Sequence, residues 1–483
     1  MSVVQPNYKI CKDEAMKKRL MGLKSTVVTK IREQLNAVKN VVCTSDCWSS
    51  LAQDSYIAIT VHIINSNWDT DSFVLSVYEM EERHTAQNLA DELQRTLEEW
   101  EINSKVVAIV TDNAKNMVNA ISLLSEVSDN TNIYSVTCAA HSVQLAVNHA
   151  LKEKTVQQII DTCSKMVGHF KHSNVAKHAL QEKQVQLSLP KNTLIQSCST
   201  RWNSTYFMLD SLYTNRCAIS NVIADRAITN ARVAQSLEIN EKQWTIIESL
   251  LNILKPLQII TTLFCGESHS PISMVRPLIK KLIEKHLNLN NDDDTLLCIF
   301  KKTIISELTR RFKLEWIEGD TLSLNHISCF FDPRYKNLEH ETSDVKEIIR
   351  TEAKRLLQNS DVVNAVHTVN TVNTAKAHDK SALEFLYNEI TDKNDVYIQI
   401  ETYMTEPQLR FDLNPFEWWK ARTNKYPAIS EVAKKYLTIP ATSAMSERCF
   451  SCAGNIVTKK RNRLLPENVN TLVFLSQNKN LIN

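Results

Sequence analysis

Glycine is scarce in this chain: five residues in 483, where an average usage of about 7% would supply roughly 34. Glycine-rich loops let a backbone approach phosphate closely, yet neither G-x-x-x-x-G-K-[ST] nor G-x-G-x-x-G occurs anywhere. A P-loop or Rossmann-type nucleotide site is therefore disfavoured. Proline, at 11 residues, is also below ordinary usage, and the two shortages point to a chain rich in helix.

An excess of either charge is missing too. Lys and Arg number 56 against 54 Asp and Glu, a formal +2, so no global field draws the protein to nucleic acid and any such binding must come from local patches. Met1 to Leu20 carries five Lys or Arg and no apolar core, so a secretory start is not expected. The most apolar stretch, Trp244 to Cys265, is broken by Glu248, Asn252, Lys255, Pro256 and Gln258, which marks a buried helix and gives no reason to expect a membrane partner. Twelve cysteines are irregularly spaced, and Cys449-x2-Cys452 is the sole C-x2-C, with no second Cys or His pair at finger spacing. Reduced thiols in cytosol or nucleus and no structural zinc are the expectation.

What is present is enough apolar material for a sizeable core, at 43% hydrophobic and 23% charged. Val41 to Asp46, then Ile57, Ile59, Val61 and Ile63 at period two, then Phe73 to Val77 predict three strands with one well-buried face. Leu89, Leu93, Leu97 and Trp100 switch to helical spacing, and Val106 to Val110 is a continuous apolar run of the kind buried on both faces in a central parallel strand. A helix from Asn113 to Leu124, a strand from Ile133 to Val136 and a helix from His141 to Leu151 follow. Beyond Lys154, helix-period segments dominate to Leu413, with polar loops expected at Asn288 to Thr295 and Asn359 to Ser381. A compact tail starts near Asn414. There Ile429, Val432, Ala433, Tyr436 and Leu437 form an amphipathic stripe, and Pro466 opens a last helix. The divisions are an N-terminal helical segment 1–40, a sheet-bearing part 41–153, an all-helical tract 154–413 and a tail 414–478.

Asp46 and Asp112 fall at the ends of the first and the central strand, where open α/β sheets gather ligand groups. Two carboxylates brought together there repel each other unless protonated or bridged by a cation, and hard oxygens suit Mg²⁺ or Mn²⁺. Ordinary caps of the helices that follow are the competing account. Composition alone does not select a third acid among the 54.

Five segments narrow the choice: Cys43-Thr-Ser-Asp46-Cys-Trp48, Val110-Thr-Asp112-Asn-Ala-Lys-Asn-Met117, Cys138-Ala-Ala-His141, Ser199-Thr-Arg201-Trp202-Asn-Ser204, and Ile439-Pro-Ala-Thr-Ser-Ala-Met-Ser446-Glu447-Arg-Cys-Phe-Ser-Cys-Ala-Gly454. In this order they closely resemble the motifs of hAT-family transposases, in particular the BED zinc-finger group and its domesticated relatives, over about Val41 to Leu475. The resemblance implies an α/β plus all-α fold: an RNase H-like core interrupted by a large helical insertion, with a C-terminal hAT dimerisation segment completing it. It also implies that Asp46, Asp112 and Glu447 are the catalytic, metal-binding acids of a DDE-type site using Mg²⁺ or Mn²⁺ for phosphoryl transfer on DNA. Arg201 and Trp202 take the places of a pair that handles the cleaved DNA end, one by its planar fork and the other by its aromatic face, a core aromatic at the boundary of the helical insertion being the competing account for Trp202. His141 becomes a phosphate or active-site contact, with a structural histidine as the alternative.

The run Lys459, Lys460, Arg461 and Arg463 is the strongest local basic cluster, suited to DNA phosphates or nuclear import, with a solvated loop as the alternative. Trp418, Trp419, Ile429, Val432, Tyr436 and Leu437 are expected to mediate homodimerisation, an intramolecular core being the competing account. His62, His84 and His149 lack motif support and are expected to be structural. Two departures from the family pattern stand out: no Cys/His finger set lies within residues 1–40, and Lys115 occupies a position where the family has a small residue. A nuclear DNA-cutting enzyme and a non-cutting dimeric regulator of transcription both follow from this pattern.

Overall fold

The computed structural model describes residues 13–49, 55–127, 133–198, 200–266, 270–290, 294–317, 319–358, 396–456 and 464–482. A five-stranded sheet of order β3-β2-β1-β4-β5 is formed by β1 (Val41–Ser49), β2 (Ser55–Ile64), β3 (Thr70–Glu79), β4 (Val106–Thr111) and β5 (Tyr134–Thr137). β1 to β3 pair antiparallel as a meander, whereas β1, β4 and β5 run parallel. This is the RNase H-like arrangement. Every residue of β4 is buried, as its unbroken apolar run requires of a strand covered on both faces.

The chain divides into two compact units: Met1–Cys138, Cys265–Val275 and Thr321–Asn483 in the first, Ala139–Phe264 and Arg276–Asp320 in the second. These bounds differ from the sequence-based ones. Excursion into the helical unit starts at Ala139 rather than Lys154, and residues 321–358 and 396–413 belong with the sheet although nothing in them is strand. Helical period reveals a helix but not which core it serves.

In the sheet unit, one face of the sheet is covered by the helices Asp13–Asn36, Ala86–Glu99 and Lys115–Val127, whose Val27, Ile31, Leu35, Leu89, Leu93, Met117 and Ile121 meet Val41, Cys43, Ile57, Ile59 and Ile109. Thr85 starts the second of these helices by accepting a hydrogen bond from the Asn88 N–H at 3.2 Å. On the opposite face Tyr56, Ala58, Val74 and Val77 meet Cys449, Ala453, Val469 and Val473, from the helices Ala444–Ile456 and Pro466–Gln477. An aromatic cluster of Trp68, Phe330, Phe331, Tyr403, Trp418 and Trp419 completes the unit. Its centre is Trp419, fully buried, stacked on Tyr403 at 5.4 Å and on Trp68 at 5.7 Å, with its indole N–H donating to the Phe331 carbonyl at 3.0 Å.

The second unit is all helix. Glu241–Phe264 packs on Ala139–Leu151, Trp202–Thr214 and Thr295–Phe312. Among the described residues it is the one helix long and apolar enough to cross a membrane. Its Ile247, Leu250, Leu254, Leu257 and Phe264 are buried within the protein instead, with Pro256 accommodated inside the helix.

Candidate active site

β1 carries Asp46, and β4 ends one residue before Asp112. In the parallel register Thr44 lies opposite Val110. Continuing both chains by two residues sets Asp46 abreast of Asp112, and side-chain alternation puts Asp46 on the same sheet face as Thr44. That face is covered by the helix Ala444–Ile456, which packs on β1, β2 and β3 and bears Glu447 in its first turn. Acids 401 positions apart (447 − 46) are thereby drawn to one end of the sheet.

The other two acids bear on Asp46. Burial first, then the negative charges of Asp112 and Glu447, push the Asp46 carboxyl up to about 7, against a single lowering influence, the Cys47 N–H donated to Oδ1 at 2.9 Å. Asp112 Oδ1 accepts the Ala114 N–H at 3.1 Å. That N–H belongs to the residue just before the helix Lys115–Val127, so Asp112 closes the turn leading into the helix and does not cap it. Cys138 follows β5 and donates its N–H to the Thr111 carbonyl at 2.8 Å, tying the two parallel strand ends together. As the side chains stand, no group of three or more His, Cys, Asp or Glu among the described residues is arranged to hold a metal ion. The donor set itself suits a hard divalent cation: oxygen ligands only, and a carboxylate repulsion that such a cation would relieve.

Neighbours that sequence reasoning missed surround Glu447. Arg448 donates to the Cys265 carbonyl at 2.9 Å, and the Ile272 N–H and Ala441 N–H bond across to Ile439 and Ser270, so the returning segment 265–275 is joined to the chain leading into the Glu447 helix. His62 on β2 is half-buried, and desolvation, then Arg448, push its imidazole down to about 4. That leaves the ring neutral at physiological pH. No sequence pattern could have linked Cys265 to Arg448, 183 residues away.

The other predicted residues fare differently. In the helical unit, His141 is half-buried in the first turn of Ala139–Leu151, and Arg201 is exposed immediately before the helix Trp202–Thr214. Trp202 is only 2% exposed. Its ring fills the interior of that unit, so the open aromatic face expected for stacking on a base is not present. Trp202→Ala should accordingly cost roughly 3–5 kcal/mol of stability, read as a lowered urea midpoint, with any loss of DNA affinity following the loss of fold. Lys115 is exposed. Lys459, Lys460, Arg461 and Arg463 lie outside the described residues.

For the stripe expected to mediate dimerisation, the competing account, an intramolecular core, fits the packing. Trp418, Trp419, Ile429, Val432, Tyr436 and Leu437 are all buried within a single chain. Tyr436 stacks on Phe331 at 5.6 Å and Trp418 on Tyr426 at 6.3 Å. An amphipathic stripe records that a face is covered, not whose surface covers it.

Comparison with known proteins matches these parts in order. Residues 44–137 match the ZBED1 RNase-like domain, 136–253 the ZBED1 RNase-like helical domain, and 399–479 the hAT family C-terminal dimerisation region. A Zea mays protein named as an AC transposase is 26% identical over 97% of this chain and 60% of its own length. The human zinc finger BED domain-containing protein 4 is 24% identical over 95% of this chain and 39% of its own. The mouse zinc finger BED domain-containing protein 6 is 22% identical over the whole chain and 53% of its own. The chain thus spans about three-fifths or less of the length of these relatives. Three family models in sequence order, on a sheet of RNase H-like topology, establish that the chain belongs to the hAT transposase superfamily, in its ZBED-like branch.

Proposed function

We propose that this chain is the catalytic body of a nuclear, DDE-type DNA transposase that works as a homodimer or higher oligomer. The observation carrying the reading is the convergence of Asp46, Asp112 and Glu447 at one end of an RNase H-like sheet from three distant parts of the chain. Asp46 and Asp112, on adjacent parallel strands, would hold the divalent cation from the sheet, and Glu447 from the covering helix. Bound there, Mg²⁺ or Mn²⁺ supplies charge neutralisation and an activated oxygen nucleophile for phosphodiester cleavage and strand transfer. The residues' own tasks are positional: the rigid strands fix two carboxylates, and the helix start fixes the third. Exposed Arg201 offers a fork that suits a DNA phosphate. Self-association is supported by the match to the hAT dimerisation region. DNA as substrate and the nucleus as location rest on the relatives named as transposase and BED-finger proteins.

Calorimetry with Mn²⁺ tests the reading. Wild type should bind, Asp112→Asn should lose at least tenfold in affinity, and any nicking of DNA should disappear with it. Equal binding by both proteins would overturn the metal site. A non-cutting regulator that keeps the fold is the second reading, favoured by the absence of a ready-made metal cage among the described residues; wild-type protein that neither binds Mn²⁺ nor nicks DNA would select it.

A further inference from the structure

Beneath the acids lies a short chain of buried hydroxyls. Thr44, Thr60 and Ser446 have no exposed surface. Thr44 Oγ1 is 2.5 Å from Thr60 Oγ1 and 2.7 Å from Ser446 Oγ. Thr60 is the cross-strand partner of Thr44 on β2. Thr44 precedes Asp46 by two residues on the same face of β1, and Ser446 immediately precedes Glu447 in the first turn of its helix. The surrounding contacts between this helix and the sheet are otherwise apolar: Ala58, Val74 and Val77 against Cys449 and Ala453.

Apolar packing there is non-directional and tolerates small slides or rotations of a helix on a sheet. Hydrogen bonds between buried hydroxyls do not, because a displaced donor or acceptor finds no replacement in such surroundings. We infer that the Thr60–Thr44–Ser446 chain is a register pin, a set of positioning residues that fixes Glu447 relative to Asp46 so that the acids can share a cation. The inference rests on the metal-site reading above and adds to it the device that holds the third acid in place. Thr44 and Ser446 touch no reacting group; they act through Asp46 and Glu447. Arg448, bonded to the Cys265 carbonyl, secures the other side of the same helical turn.

A stability measurement alone cannot separate a pin from ordinary packing, so the decisive variant removes all three hydroxyls together. Thr44→Val, Thr60→Val and Ser446→Ala combined leave no orphaned polar atom, and such replacement is near-neutral for stability. With the full chain, the triple variant should melt within a few degrees of wild type while binding Mn²⁺ at least tenfold more weakly, and Thr44→Ser should bind as wild type does. Wild-type affinity in a folded triple variant would overturn the pin. Amide hydrogen exchange without cation supplies a second readout. Exchange at Ser446 to Arg448 should quicken about tenfold or more, with Cys452 to Ile456 unchanged, and unchanged exchange at Ser446 to Arg448 would equally overturn it. Should the triple variant fail to fold, Ser446→Ala alone, which only deletes one oxygen, must show the same two effects in smaller degree or the inference falls. Wild type that binds no Mn²⁺ would retire the metal site and leave the exchange measurement to decide the pin.

Discussion

Asp46→Asn should make the cation-free protein more stable than wild type at pH 8 and no more stable at pH 4. In the folded chain burial, Asp112 and Glu447 raise the Asp46 carboxyl from 3.8 to about 7. Below pH 4 the group is protonated whether the chain is folded or not, and it carries no penalty. As pH climbs from about 4 to 7 the unfolded chain releases the proton while the folded chain retains it, so wild-type stability falls; above 7 the folded chain too must bear the charge, and the loss is complete. An amide avoids this at every pH. The difference at pH 8 is on the order of 2–4 kcal/mol after allowance for partial screening, several degrees in melting temperature by calorimetry. Millimolar Mn²⁺ should close most or all of this gap, since a ligand at about 100 times its Kd adds about 2.7 kcal/mol to the protein that binds it and nothing to the variant that does not. If Asp46→Asn melts at the wild-type temperature at pH 8, the carboxylates do not strain one another and the case for a cation weakens.

Trp419→Ala should destabilise the sheet unit by roughly 3–5 kcal/mol without changing the mass of the folded protein in light scattering. The ring is fully buried, stacked between Tyr403 and Trp68, and its N–H satisfies the Phe331 carbonyl. Its loss opens a cavity and leaves that carbonyl without its donor. Tyr436→Lys should be at least as damaging, because it forces a cation into the space against Phe331. Circular dichroism in urea measures both. A folded Trp419→Ala variant that simply dissociates would restore these aromatics to a subunit interface.

Local signals carried far in this sequence. β1 to β5 fall where alternation and the apolar run Val106–Val110 place them, and Asp112 directly follows β4; Asp46, expected at the end of its strand, lies inside β1, which stays paired with β2 as far as Ser49. What stayed open concerned partnership. Trp202 and the stripe from Trp418 to Leu437 have the composition of binding surfaces, yet large aromatics serve an interior equally well, and only the fold reveals which. Residues 321–358 look like more of the helical tract, but the buried pair of Asp332 and Arg334, 2.8 Å apart, and Ser273, bonded to Asp332 at 2.6 Å, fasten them into the sheet unit through contacts distant in sequence. The hydroxyls of Thr44 and Ser446 were illegible for the same reason: each is an unremarkable small polar residue until the other, 402 positions away, is set against it.

The wide separation between the sheet and its covering helices also governs how the protein is made. β5 ends at Thr137, whereas the helix that closes the acid-bearing face starts at Ala444, 307 residues later (444 − 137). At about 5–20 residues per second of ribosomal synthesis, the sheet waits some 15–60 s with Tyr56, Ala58, Val74 and Val77 uncovered. During that interval Asp46 and Asp112 are already in hand, but the third acid has not been translated. A chain broken off anywhere before residue 447 therefore lacks both the lid over its sheet and the last of its three acids. Such a fragment leaves Tyr56, Ala58, Val74 and Val77 as an apolar sheet face open to aggregation and in need of a chaperone.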